Sequence, residues 1–85
     1  MKTFEYLITD ALGIHVRPAG LLSKEGKKFQ SEISIAKDGK SVSTNKLMSI
    51  MSLGVKAGNT VTITIDGPDE EVACNAIKEF FEKNL

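Results

Sequence analysis

The chain has 85 residues, 41% hydrophobic and 26% charged, with 11 basic and 11 acidic side chains that cancel to zero net charge. That length supports one domain, residues 1–85, with a single core and no second lobe. A lone cysteine, Cys74, excludes an internal disulfide, and no apolar run approaches the roughly 20 residues a membrane span needs. The first residues lack a basic stretch followed by an apolar core, so no signal peptide is expected. The expectation is a cytoplasmic protein with no membrane insertion.

The zero net charge hides an asymmetry. Residues 15–60 hold eight basic side chains against three acidic ones, whereas residues 61–85 hold two basic against six acidic. An acidic partner would be steered toward the first region. Nucleic acid is not expected, because the basic residues are not interleaved with aromatics. A solvated lysine-rich face remains the plainer alternative.

Phe4, Tyr6 and Ile8 alternate with Thr3 and Glu5, which predicts a half-buried strand over residues 2–8. A loop from Asp10 to Gly13 follows, with Gly13 free to adopt a left-handed backbone. The stretch Gly13-Ile14-His15-Val16-Arg17-Pro18-Ala19 holds the only histidine and the only arginine of the chain. Pro18 suits the first turn of a helix, and Ala19, Leu22, Gly26 and Phe29 recur at helical spacing, so a helix is expected over about 16–28. His15 then lies at a helix N-terminus, where free N–H groups and the positive end of the dipole form an anion site. The local potential disfavours an imidazolium, leaving a neutral, nucleophilic ring. A phosphoryl group placed on it would meet the N–H groups of the Val16, Arg17 and Pro18 region and the Arg17 guanidinium. A histidine so placed can equally be a cap or a surface residue, and periodicity alone does not separate these roles.

Ile33 and Ile35 alternate with Glu32 and Ser34 in a second strand, and Asp38-Gly39 is a two-residue hairpin signal leading to a short strand, Lys40 to Ser43. Leu47, Ile50 and Met51 fit a short helix stopped by Gly54, with Thr44 or Asn45 expected to supply its cap. Val61, Ile63 and Ile65 alternate with Thr60, Thr62 and Thr64 in the clearest strand of the chain. After Gly67-Pro68, Asp69, Glu70 and Glu71 open a last helix, with Ala73, Ala76, Ile77 and Phe80 as its buried face and Cys74 as filler beside it. The order βαββαβα, with strands apolar on one face and Thr/Ser-rich on the other, predicts an α+β open-faced β-sandwich: a four-stranded antiparallel sheet with three helices on one face.

GIHVRPAG, SEISI with the following GK-S-V, LMSIMSLGVKAG with VTI, and the acidic start of the last helix together resemble the HPr family, histidine-containing phosphocarriers of the bacterial phosphoenolpyruvate:sugar phosphotransferase system. The resemblance covers almost the whole chain. It implies the same element order and a function: enzyme I, charged by phosphoenolpyruvate, passes a phosphoryl group to the histidine, which hands it to sugar-specific enzyme IIA domains. By position His15 would be phosphorylated, through Nδ1 as in the family, with Arg17 as charge partner. Such a protein is a monomeric phosphoryl carrier with a covalent phosphohistidine rather than a stand-alone enzyme, and it needs no cofactor and no metal. The family's docking surface maps onto Gly20, Lys24, Lys27, Leu47, Met48 and Met51, although Leu47 could instead pack into the core. Gram-positive relatives carry a regulatory serine at the start of the middle helix, and Lys46 stands there in this chain. Alternatives are a regulatory HPr-like protein that only binds other proteins, for which relatives lack the histidine, and a nitrogen-regulating phosphotransferase branch. A small-molecule or RNA-binding module has no Gly-rich pocket or aromatic row to support it.

Overall fold

The alternation in the strands builds a sheet with two unlike faces. The computed structural model describes all residues, Met1–Leu85. Its elements are β1 (Lys2–Leu7), α1 (Val16–Gly26), β2 (Glu32–Lys37), β3 (Lys40–Ser43), α2 (Leu47–Ser52), β4 (Thr60–Asp66) and α3 (Glu70–Asn84). The strands form one antiparallel sheet in the order β1-β4-β2-β3. Register aligns Phe4, Ile63, Ile35 and Val42 in one row across all four strands. The next row, Glu5, Thr62, Ala36 and Ser41, points the other way because side chains alternate at period two. Val61, Ile63 and Ile65 are fully buried under the helices while Thr62 and Thr64 remain partly exposed. This is the α+β open-faced sandwich that the sequence predicts. No helix is long and apolar enough to cross a membrane.

The β2–β3 connection is the tight hairpin expected of Asp38-Gly39, with φ of 53° and 82° at the two turn residues. Gly54 ends α2 with φ of 64°. Helix α1 stops two residues earlier than its spacing implies, because Gly26 is its last helical residue and Lys27 its C-cap.

Two expectations need correction. The buried stripe of α3 is Ala73, Cys74, Ile77 and Phe81, while Ala76 and Phe80 lie half-buried on its flank. Spacings of three and of four both fit a helix, and the rings of β1 decide between them. Phe81 meets Tyr6 at 5.2 Å and Phe4 at 6.1 Å, both edge-to-face, so rotating the helix toward Phe80 would forfeit those contacts. Neither Thr44 nor Asn45 caps α2. Thr44 is fully buried and bonds the Ile33 carbonyl oxygen through both its N–H (3.0 Å) and its hydroxyl (3.2 Å), extending the β2–β3 pairing. Lys46 is the N-cap residue, without a side-chain bond. As expected, Asp69 opens α3 as its N-cap residue with Glu70 and Glu71 in the first turn; its carboxylate does not bond the helix. It accepts the N–H groups of Gln30 and Ser31, both at 2.9 Å, and the Ser31 hydroxyl. These bonds, the Ser31 hydroxyl first, hold the Asp69 carboxyl below its ordinary value and tie the α1–β2 loop to α3.

Candidate functional site

The loop after β1 delivers His15, and its geometry follows from a close backbone approach. Gly13 has φ of 66°, and a Cβ there would run into the Val55 carbonyl oxygen. That same oxygen accepts the Ile14 N–H at 3.1 Å, and the Gly13 N–H bonds the Asp10 carbonyl oxygen at 2.9 Å. With Ile14 and Val55 both buried, the loop is anchored to the β4-side chain segment immediately before His15.

His15 is the N-cap of α1, in an extended conformation and without a side-chain cap bond, so its imidazole is not consumed by helix capping. Its carbonyl oxygen accepts the Ala19 N–H at 3.0 Å, the first bond of the helix. The N–H groups of Val16 and Arg17 have no acceptor in the chain, and Pro18 carries none. Half-buried His15 is therefore the residue immediately before two free donors, at the positive end of an 11-residue helix. Arg17 is exposed and makes no ion pair with any residue of the chain. A shallow cleft of about 330 Å³ opens beside the ring. It is lined by Asp10 from the loop, by His15, Arg17, Pro18 and Leu21 around the start of α1, and by Lys83 and Asn84 at the end of α3. No local spacing marks Asp10, in the loop after β1, as a neighbour of the histidine, and Lys83 and Asn84 reach the cleft only because α3 packs against α1 and β1.

The residues mapped as a docking surface divide by exposure. Lys24 and Lys27 are exposed and unpaired, and Gly20 is half-buried with no atom within 4 Å of the place a Cβ would take. On α2, Met48 is 76% exposed and Met51 36% exposed, while Leu47 is partly buried against the core. Helices α1 and α2 pack against each other, so the elements that carry these lysines and methionines are neighbours. A further apolar group, Val16, is 58% exposed next to His15. Lys37 was not singled out by its sequence. Its ammonium, on a side chain only 19% exposed, donates to the carbonyl oxygens of Gly54 (3.0 Å) and, more weakly, Leu53 (3.5 Å). It thereby satisfies the C-terminal end of α2, where a cation is favourable.

A family model described as "PTS HPr component phosphorylation site" matches residues 2–83. The chain belongs to the HPr family. It is 44% identical to the phosphocarrier protein HPr of Mycoplasma genitalium over 85 residues, covering 99% of this chain and 97% of that protein. It is also 44% identical over 71 residues to the HPr-like protein Crh of Halalkalibacterium halodurans, covering 84% of each. Among solved structures, an HPr from Thermoanaerobacter tengcongensis superposes with a TM-score of 0.92 at 41% identity, covering 98% of this chain and 93% of that one, and that protein has also been solved as a dimer. These likenesses place the chain among the phosphocarriers of the phosphotransferase system and bear out the fold read from its sequence.

Proposed function

We propose that His15 is the phosphoryl-accepting residue of this HPr-family chain, loaded by phospho-enzyme I at the expense of phosphoenolpyruvate and unloaded onto enzyme IIA domains during sugar uptake. The observation that carries the proposal is that the sole histidine, half-buried and making no capping bond, directly precedes the free Val16 and Arg17 N–H groups at a helix N-terminus and shares a cleft with unpaired Arg17. In the forward step a ring-nitrogen lone pair attacks phosphorus. The N–P bond forms as the bond from phosphorus to the donor breaks, and its electron pair leaves with the donor. The free N–H groups and Arg17 stabilise negative charge on the transferring group without reorganisation. Transfer onward reverses these roles, which makes the protein a carrier with a covalent intermediate rather than a stand-alone enzyme.

Partners dock on the lysine-ringed apolar face of Gly20, Lys24, Lys27, Leu47, Met48 and Met51. Methionine adapts to partners of different shape, and lysines steer acidic ones. The protein works as a cytoplasmic monomer. Chase labelling tests the carrier role: protein loaded by enzyme I and phosphoenolpyruvate is freed of donor and mixed with an enzyme IIA domain. The expected result is stoichiometric passage of phosphate to enzyme IIA. A loaded protein that retains its phosphate in the presence of active enzyme IIA from several sugar branches would contradict the proposal.

A further inference from the structure

The cleft beside His15 poses a charge problem that Arg17 alone does not solve. A phosphoryl group on the ring carries about −1.5 to −2 charges at neutral pH. Asp10 lines the same cleft and adds a carboxylate, whose Oδ1 accepts only the Leu12 N–H at 2.9 Å. Against these stand one guanidinium and the two free N–H groups of Val16 and Arg17. One other cation lines the cleft, Lys83, in the last turn of α3. In the unloaded protein its ammonium pairs with Glu79 one turn earlier, at 2.8 Å. That bond raises Lys83 above its ordinary value and lowers Glu79, so both are charged throughout the neutral range. The pair is solvent-exposed, with 69% and 64% of the two side chains accessible. Such a pair is weakly held and exchanges partners at little cost.

We infer that Lys83 is a second charge partner of the phosphoryl group on His15, exchanging its bond to Glu79 for one to the phosphate when the carrier is loaded. The inference rests on the reading of His15 as phosphoacceptor. Glu79 then acts as a competitor. It parks the ammonium at the rim while the cleft is empty and releases it to a group of higher charge. Lys83 thus biases the loaded state without blocking the ring in the unloaded one.

The test compares wild type, Lys83→Gln, Lys83→Arg and Glu79→Gln in the equilibrium between phospho-enzyme I and this protein, read as the loaded fraction by intact-mass spectrometry. An equilibrium constant is insensitive to docking rates, and a purely structural role for Lys83 would affect loaded and unloaded forms alike. Lys83→Gln is expected to shift the equilibrium toward phospho-enzyme I by about two- to fivefold, as for one exposed ion pair. Lys83→Arg should restore it, and Glu79→Gln should shift it the opposite way. The differences should shrink at high salt. Wild type loaded normally with all variants indistinguishable from it would overturn the role of Lys83 alone, as would Glu79→Gln moving in the same direction as Lys83→Gln. A wild type that takes no phosphate on His15 would overturn both this inference and the reading beneath it.

Discussion

Replacing Gly13 by alanine separates two costs that the structure places at one residue. The first is conformational: an L-residue held at φ of 66° pays about 1–2 kcal/mol. The second is steric, because the new Cβ would clash with the Val55 carbonyl oxygen. Moving the loop away breaks the 3.1 Å bond from the buried Ile14 N–H to that oxygen, and leaving those groups unpaired costs about 1–3 kcal/mol. Gly13→Ala should therefore lose about 2–5 kcal/mol in urea denaturation, the sum of the two. Gly39→Ala is the control. Its φ is 82°, but nothing lies within 4 Å of its Cβ position, so only the conformational cost of about 1–2 kcal/mol applies. Because His15 follows the displaced loop by two residues, Gly13→Ala should also slow phosphate acceptance from enzyme I, whereas Gly39→Ala should not. Equal losses of stability in the two variants, or normal phosphate acceptance by Gly13→Ala, would refute the claim that this backbone contact places the histidine.

Other outcomes follow from the same structure. Phe81→Ala should destabilise the protein by about 3–5 kcal/mol and Phe80→Ala by clearly less, a ranking that urea denaturation checks and that reverses if Phe80 holds the core. The stability contributed by Asp69 should be complete above the ordinary carboxylate value and lost as pH falls through its lowered folded value. Acid titrations of unfolding should thus show a steeper loss at low pH for wild type than for Asp69→Asn. Gly20→Ala should gain about 0.5–1 kcal/mol from helix propensity, since nothing blocks the added methyl group, yet should weaken binding to enzyme I if that face docks; calorimetry reads both effects. The ATP-dependent kinase that modifies the serine of Gram-positive relatives should leave wild type unmodified and add one phosphate to Lys46→Ser, which mass spectrometry distinguishes; modification of wild type at Ser43, Ser49 or Ser52 would show a displaced switch.

What the sequence made legible was what depends on near neighbours. Val61, Ile63 and Ile65 alternate with threonines over a full strand, and that alone reveals a sheet covered on one face. Asp38-Gly39 encodes its own turn, and Pro18 with the single histidine before it marks the start of α1. What stayed hidden depends on partners far along the chain. Thr44 reads as a cap until Ile33 is found beside it, and Asp69 reads as a dipole residue until Gln30 and Ser31 are seen to hold its carboxylate. Phe80 and Phe81 fit a helical stripe about equally, and only the rings on β1 choose between them. At the site itself, His15 and Arg17 are marked by their local motif. Asp10, Lys83 and Asn84 join them from the loop after β1 and from the far end of the chain, where no spacing points to the histidine.

The most direct test of the phosphohistidine is to incubate wild type and His15→Ala with enzyme I and phosphoenolpyruvate and determine the intact mass and the site of label. Wild type is predicted to gain one phosphate, labile to acid and stable to base, mapped to the peptide containing His15, while His15→Ala gains none. Label of the same stoichiometry on His15→Ala, or acid-stable label on a serine or threonine of wild type, would contradict it.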